Sequence, residues 1–197
     1  PYFKRIIVQT VPEASTRASL IERGDADLSI DLQDSDVLAL KDRGAVKVVS
    51  IPQVNAFQMI AFNTRMAPFD NVKVRQAIAH ALPFDDMFTA ALYRRGAPLW
   101  GATWKDLPDT GKFPQRLPYS TNLDKAKGLL AEAGFPDGFK TTFSFNVGSA
   151  ATSEPIAALI KESLGKIGID VTVEKVPDAQ MGTLISEKKL PFFTESA

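Results

Sequence analysis

The sequence predicts an α/β fold, and three observations carry the expectation. Stretches with helical periodicity alternate with short apolar or period-two stretches along the chain. Helical stretches run into glycine at Gly24, Gly44, Gly134 and Gly168, where a left-handed C-terminal cap is wanted. Proline, aspartate, asparagine or serine stands where those stretches begin.

Taken in order, residues 3–10 read as a strand. Pro12 and Glu13 open a helix in which Ala14, Ala18 and Ile21 recur at helical spacing up to Gly24. Residues 26–32, within DADLSIDL, alternate acidic and apolar side chains, as a strand with one solvated face does. Asp34, Ser35 and Asp36 favour a helix start with Val37, Leu38 and Leu40 to bury; Gly44 ends it, and residues 46–51 make a third strand. Residues 56–62 are almost uninterruptedly apolar, which suits the middle of a sheet. Residues 63–82, NTRMAPFDNVKVRQAIAHAL, read as a strand end, a turn fixed by Pro68 and a helix capped by Asp70. Val74, Ala77, Ile78 and Ala81 share one helical face, while Lys73, Arg75 and Gln76 point to water. Pro83 ends that helix and opens a second, with Asp85 and Asp86 near its positive end.

Residues 94–121 are rich in Pro, Gly and Trp and show no period; a loop of that length is usually functional or docked. From Asn122 a helix with the stripe Ala126, Leu129, Leu130 and Ala133 runs to Gly134, and Phe135 packs back on Leu130. Residues 141–146 form a strand. Ser153 starts a helix with the stripe Ile156, Leu159, Ile160, Leu164 and Ile167, closed by Gly168 with Ile169 folded back on Leu164. Residues 169–175 alternate, with Val171 and Val173 on one face. Met181, Leu184 and Ile185 mark a short helix before a strand at residues 190–193. The chain opens at Pro1 and stops just after that strand, so an excerpt of a longer protein is expected.

Composition excludes several functions. Lys plus Arg number 23 and Asp plus Glu 23, so no nucleic-acid groove or anionic-membrane patch is indicated. Without cysteine there are no disulfides, thiolate metal sites or cysteine nucleophiles. No apolar run reaches the length of a bilayer span.

Few residues invite chemistry. His80 is the single histidine; as a general base it would need a carboxylate such as Asp85 or Asp86. Its helical place between Ala79 and Ala81 favours packing or a surface role, and no second histidine or cysteine shares a metal with it. Asp25, Asp27, Asp31, Asp34 and Asp36 follow strand alternation rather than a calcium loop. Gly96, Gly101 and Gly111 lie too far apart to cradle a phosphate, and Arg94-Arg95 suits the negative pole of a helix. Trp100 and Trp104 either wall a ligand or pin their own loop. Asn146-Val147-Gly148-Ser149, where a strand ends and a helix follows, is either a ligand contact or a structural turn.

Three segments carry a family resemblance: ASLIERGDAD at 18–27, FNTRMAPFDNVKVRQAIAHALPFDDM at 62–87 and DKAKGLLAEAGFPDGF at 124–139. With these in order, the chain resembles the extracellular solute-binding proteins of family 5, the dipeptide, oligopeptide and nickel receptors of ABC importers. The resemblance implies a periplasmic-binding-protein-like fold (type II, cluster C), a mixed sheet flanked by helices, present here as a fragment. It implies that residues 1–55 are a strand-helix portion of one lobe and residues 56–197 an incomplete second lobe, with a crossover near residues 53–57. A peptide or similar small solute would be clamped between lobes and handed to a membrane permease, in the periplasm or on a lipid anchor, with no cofactor, metal or nucleic acid. The cleft candidates are Gln53, Asn55, Phe57, Trp100, Asn146 and Ser149. The rival expectation is an α/β hydrolase or transferase using His80 with Asp85 or Asp86.

Overall fold

The computed structural model describes residues 2–49, 58–95 and 119–196. The chain divides into two compact units, Pro1–Pro52 and Gln53–Ala197.

The first unit is built on two helices, α1 (Ala14–Arg23) and α2 (Asp34–Arg43), each closed by a left-handed glycine, Gly24 and Gly44. Ala18 and Leu40 are its buried side chains, and Arg43 pairs with Glu22 between the helices. Arg17 clips the flanking segments: Nη1 donates to the Val11 and Pro12 carbonyls and Nη2 to that of Asp31, at 2.6–2.7 Å. The strands expected at residues 3–10, 26–32 and 46–51 are absent among the described residues, where the backbone is irregular. Apolar or alternating sequence suits a strand but supplies no neighbour, and a strand exists only through its ladder. Ile6, Ile7 and Val8 are accordingly exposed.

The second unit holds a four-stranded mixed sheet made of β1 (Gln58–Phe62), β2 (Lys140–Asn146), β3 (Asp170–Val176) and β4 (Phe192–Ser196), in the order β1-β4-β2-β3. β1 runs antiparallel to β4, whereas β4–β2 and β2–β3 are parallel. The apolar run placed in mid-sheet by its sequence therefore ends up on the edge, where its side chains are only partly covered. The last strand begins two residues later than expected, because Pro191 has no N–H to give a ladder.

Helices α3 (Val72–Ala81), α4 (Phe84–Leu92), α5 (Leu123–Glu132), α6 (Ala150–Gly165) and α7 (Asp178–Ser186) complete this unit. Val74, Ala77, Ile78 and Ala81 of α3 are fully or almost fully buried, as their spacing predicts. The cap of α3 is Asn71, whose side chain accepts from the Lys73 N–H at 2.9 Å; the expected cap, Asp70, lies one residue too early. Asn122 caps α5 in the same way. Gly134 takes φ +90 and the Phe135 N–H donates to the Leu130 carbonyl at 2.8 Å, the expected Schellman ending. Gly168 and Ile169 repeat it on Leu164. Helix α6 begins at Ala150, three residues before the expected Ser153, with Pro155 inside it. Ser163 of α6 donates to the Ala81 carbonyl, tying that helix to α3. Between helices and sheet, Phe62, Phe69, Phe143 and Phe192 form a ring cluster with centroids 4.7–5.8 Å apart.

Candidate functional site

Four side chains and a glycine meet at the carboxyl edge of the parallel strands. Asn146 is the last residue of β2 and pairs in register with Val176, the last of β3. A single 3-10 turn, Val147–Ser149, leads from Asn146 into α6, while Pro177 leads from Val176 into α7. Parallel pairing thus brings Asp178, in the first turn of α7, alongside Asn146 and Gly148.

The hydrogen bonds run one way. The Ser149 hydroxyl lies 2.6 Å from Asn146 Oδ1, and that oxygen can only accept. With its one hydrogen so committed, Ser149 accepts from Ser153, whose hydroxyl is buried 2.9 Å away. Asn146 Nδ2 in turn donates to Asp178 Oδ1 at 2.9 Å, and the Gly148 N–H donates to the same oxygen at 2.8 Å. The relay from Ser153 through Ser149 and Asn146 ends on a carboxylate. A Cβ on Gly148 would come within 2.6 Å of Asp178 Oδ2, so glycine is what lets the carboxylate rest on the turn.

The Gly148 N–H and, after it, the Asn146 amide hold the Asp178 carboxyl below its ordinary 3.8. A depressed folded value means stabilisation that is complete above the unfolded value and lost as pH falls through the folded one. Asp178→Asn is therefore expected to lower stability at neutral pH by a small amount, since the group is exposed, and the deficit should shrink below about pH 4. Parallel urea titrations of both proteins across that range check it; a deficit constant with pH contradicts it.

Of the sequence candidates, the structure brings Asn146 and Ser149 together, while Gln53, Asn55, Phe57 and Trp100, with Trp104, lie outside the described residues. Gly148 stands within the expected motif and Ser153 at the expected helix start, whereas Asp178 was not expected beside them. Asp178 carries a local signal, a helix start directly after a strand, but its place beside Asn146 depends on which strands pair.

His80 is 5% exposed at the end of α3; its Nδ1 sits 2.9 Å from the Ser120 carbonyl and so carries the hydrogen. Its ring meets Tyr119 edge-on at 5.2 Å. Asp85, the carboxylate expected as its partner, is instead forked with Arg94 at 2.9–3.1 Å, which holds its carboxyl low. Asp86 is exposed in the first turn of α4. The histidine is thus a packed helix-end residue. His80→Ala is expected to cost about 1–3 kcal/mol of stability in urea unfolding. An unchanged midpoint would contradict that role.

Among the described residues, no group of three or more His, Asp or Glu gathers to hold a metal. No helix of the described residues is long and apolar enough to cross a membrane.

The fold defines a periplasmic-binding-protein-like α/β lobe with a polar carboxyl edge, and the comparisons place it more closely. The family model for bacterial extracellular solute-binding proteins, family 5 (Middle), matches residues 1–196, so the chain belongs to that family. It is 36% identical over 172 residues to Heme-binding protein A of Haemophilus influenzae, covering 84% of this chain and 30% of that protein. Glutathione-binding protein GsiB of Pectobacterium atrosepticum is 26% identical over 188 residues, covering 95% of this chain and 36% of its own length. The chain therefore spans about a third of the curated relatives it matches. Among solved structures, the periplasmic binding protein DppA of Helicobacter pylori in complex with the peptide STSA superposes with TM-score 0.74 at 26% identity, over 96% of this chain and 36% of that one. AgaA of Agrobacterium tumefaciens R10, in complex with agropinic acid, gives 0.73 at 25% identity, over 95% and 38%.

Proposed function

We propose that this chain is part of the substrate-binding component of an ABC importer, which captures a peptide or similar small solute between two lobes and delivers it to permease subunits in the membrane. The observation that carries the reading is the family match across residues 1–196. Residues 1–55 belong to the first lobe and residues 56–197 to the second, with the crossover at residues 53–57. The protein works in the periplasm or on a lipid anchor outside the membrane. Closure of such lobes on a ligand is a familiar hinge motion.

Within this reading Asn146 and Ser149 shape the solute-facing edge, and Asp178 offers it a carboxylate. One oxygen of Asp178 is taken by Gly148 and Asn146, while Oδ2 accepts no hydrogen bond among the described residues. That free oxygen suits a solute with donor groups, such as an amine or a peptide N–H. Gln53, Asn55, Phe57 and Trp100 complete the proposed cleft. Binding breaks no bond in this reading: Asp85, the carboxylate a His80 base would need, is paired with Arg94, and His80 is buried at the end of its helix.

Native mass spectrometry of the intact protein, purified without refolding, tests the proposal. A non-covalent small polar adduct released on activation is expected. An adduct-free protein that stays unoccupied after exposure to peptide mixtures would overturn it.

A further inference from the structure

At the opposite end of the sheet from Asn146, a cleft of about 240 Å³ opens between the turn after β1 and the segment joining α7 to β4. Phe62, Ile185, Leu190 and Phe193 give it apolar walls, and Arg65 and Lys188 are the charged residues that line it. Neither cation has an ion-pair partner among the described residues; Glu187, beside Lys188 in sequence, is held by Lys189 at 2.7 Å. One side chain ties together the backbone segments that carry the two cations. Asn63 Nδ2 donates to the Lys188 carbonyl at 2.8 Å and Asn63 Oδ1 accepts from the Arg65 N–H at 3.1 Å. The Asn63 N–H also donates to the Pro191 carbonyl at 2.9 Å, and Lys188 is held at φ +57, a conformation unusual outside glycine.

We infer that this cleft is a second binding site, separate from the solute-facing edge, for a carboxylate carried on a small apolar body. Two unpaired cations with no lining carboxylate select an anion, the apolar walls select its tail, and the volume suits a branched side chain rather than a long peptide. The carboxylate could belong to a free acid or to the C-terminus of a peptide with an apolar last residue. Asn63 is the positioning residue. The inference does not depend on the identity of the transported solute.

The test is methyl-detected NMR of Ile185 and Leu190 in the intact protein, titrated with 4-methylpentanoate, N-acetyl-leucine, neutral 4-methylpentanamide and inorganic phosphate. Lys188→Gly removes the ammonium while suiting the positive φ, and Arg65→Gln removes the other charge from an exposed position. Saturable shifts are expected with the acid, at least tenfold weaker binding in each variant, and at least tenfold weaker binding of the amide and of phosphate. Tighter binding of N-acetyl-leucine than of the free acid assigns the site to peptide C-termini, and the reverse assigns it to free acids. Equal affinity for acid and amide, unchanged affinity in both variants, or no shift at millimolar acid would overturn the inference.

Discussion

Gly138→Ala is expected to lower stability by roughly 2–5 kcal/mol, the sum of about 1–2 for a left-handed backbone and about 1–3 for a forced shift of packed backbone. Gly138 has φ +79, and a Cβ built on it would sit 1.9 Å from the Gly168 carbonyl oxygen and 2.2 Å from its carbon. Those atoms are backbone and have no rotamer through which to escape. The two glycines are where the segments entering β2 and β3 cross. Just beyond them the Asp170 N–H donates to the Phe139 carbonyl at 2.9 Å and the ladder opens with Lys140 opposite Asp170. The register fixed there runs to Asn146 opposite Val176, so this crossing also sets Asn146 beside Asp178. Gly134→Ala is the control: its φ is +90 but nothing lies within 4 Å of its added carbon, so only the conformational cost of about 1–2 kcal/mol applies. Urea midpoints of the two variants should differ clearly. Equal midpoints would contradict the crossing.

Phe192→Ala is expected to cost about 3–5 kcal/mol, the range for deleting a fully buried aromatic ring. Phe192 is wholly buried and stands between partners on both sides, opposite Phe62 on β1 and Phe143 on β2. Its ring lies 5.0 Å from Phe62, 5.8 Å from Phe69 and 4.7 Å from Phe143. Removing it empties the point where the antiparallel edge strand joins the parallel strands, and neighbouring rings can close that space only in part. Phe193, the next residue, faces the opposite side and is only half-buried, so Phe193→Ala should cost distinctly less. Thermal or urea unfolding of the pair checks the contrast, and similar losses would contradict it.

Local signals in the sequence were read correctly where the interaction that decides them is local. The glycine endings at Gly24, Gly44, Gly134 and Gly168, the Asn122 start and the buried face of α3 each depend on residues within about two helical turns. Asp70 and Asn71 show the resolution of such reading: both are good caps, and the turn after Pro68 selects the second. Helix α6 starts three residues before Ser153, the expected start, and carries Pro155 within it. What could not be read were pairings over distance. Residues 3–10, 26–32 and 46–51 are strand-like in sequence but have no ladder among the described residues, and residues 58–62 are apolar enough for mid-sheet yet lie on an edge. The candidate site follows the same division. Asn146 and Ser149 were legible as small polar groups ending a strand, whereas Asp178 joins them from 32 residues away through the β2–β3 pairing.

We propose that the intact protein binds a small solute reversibly and leaves it chemically unchanged. Isothermal titration with the solute released from the native protein, followed by mass analysis of the recovered solute, tests it directly. One saturable site and a solute recovered at its original mass are the expected result. A solute returned at a different mass, or heat that continues past saturation as turnover, would contradict it.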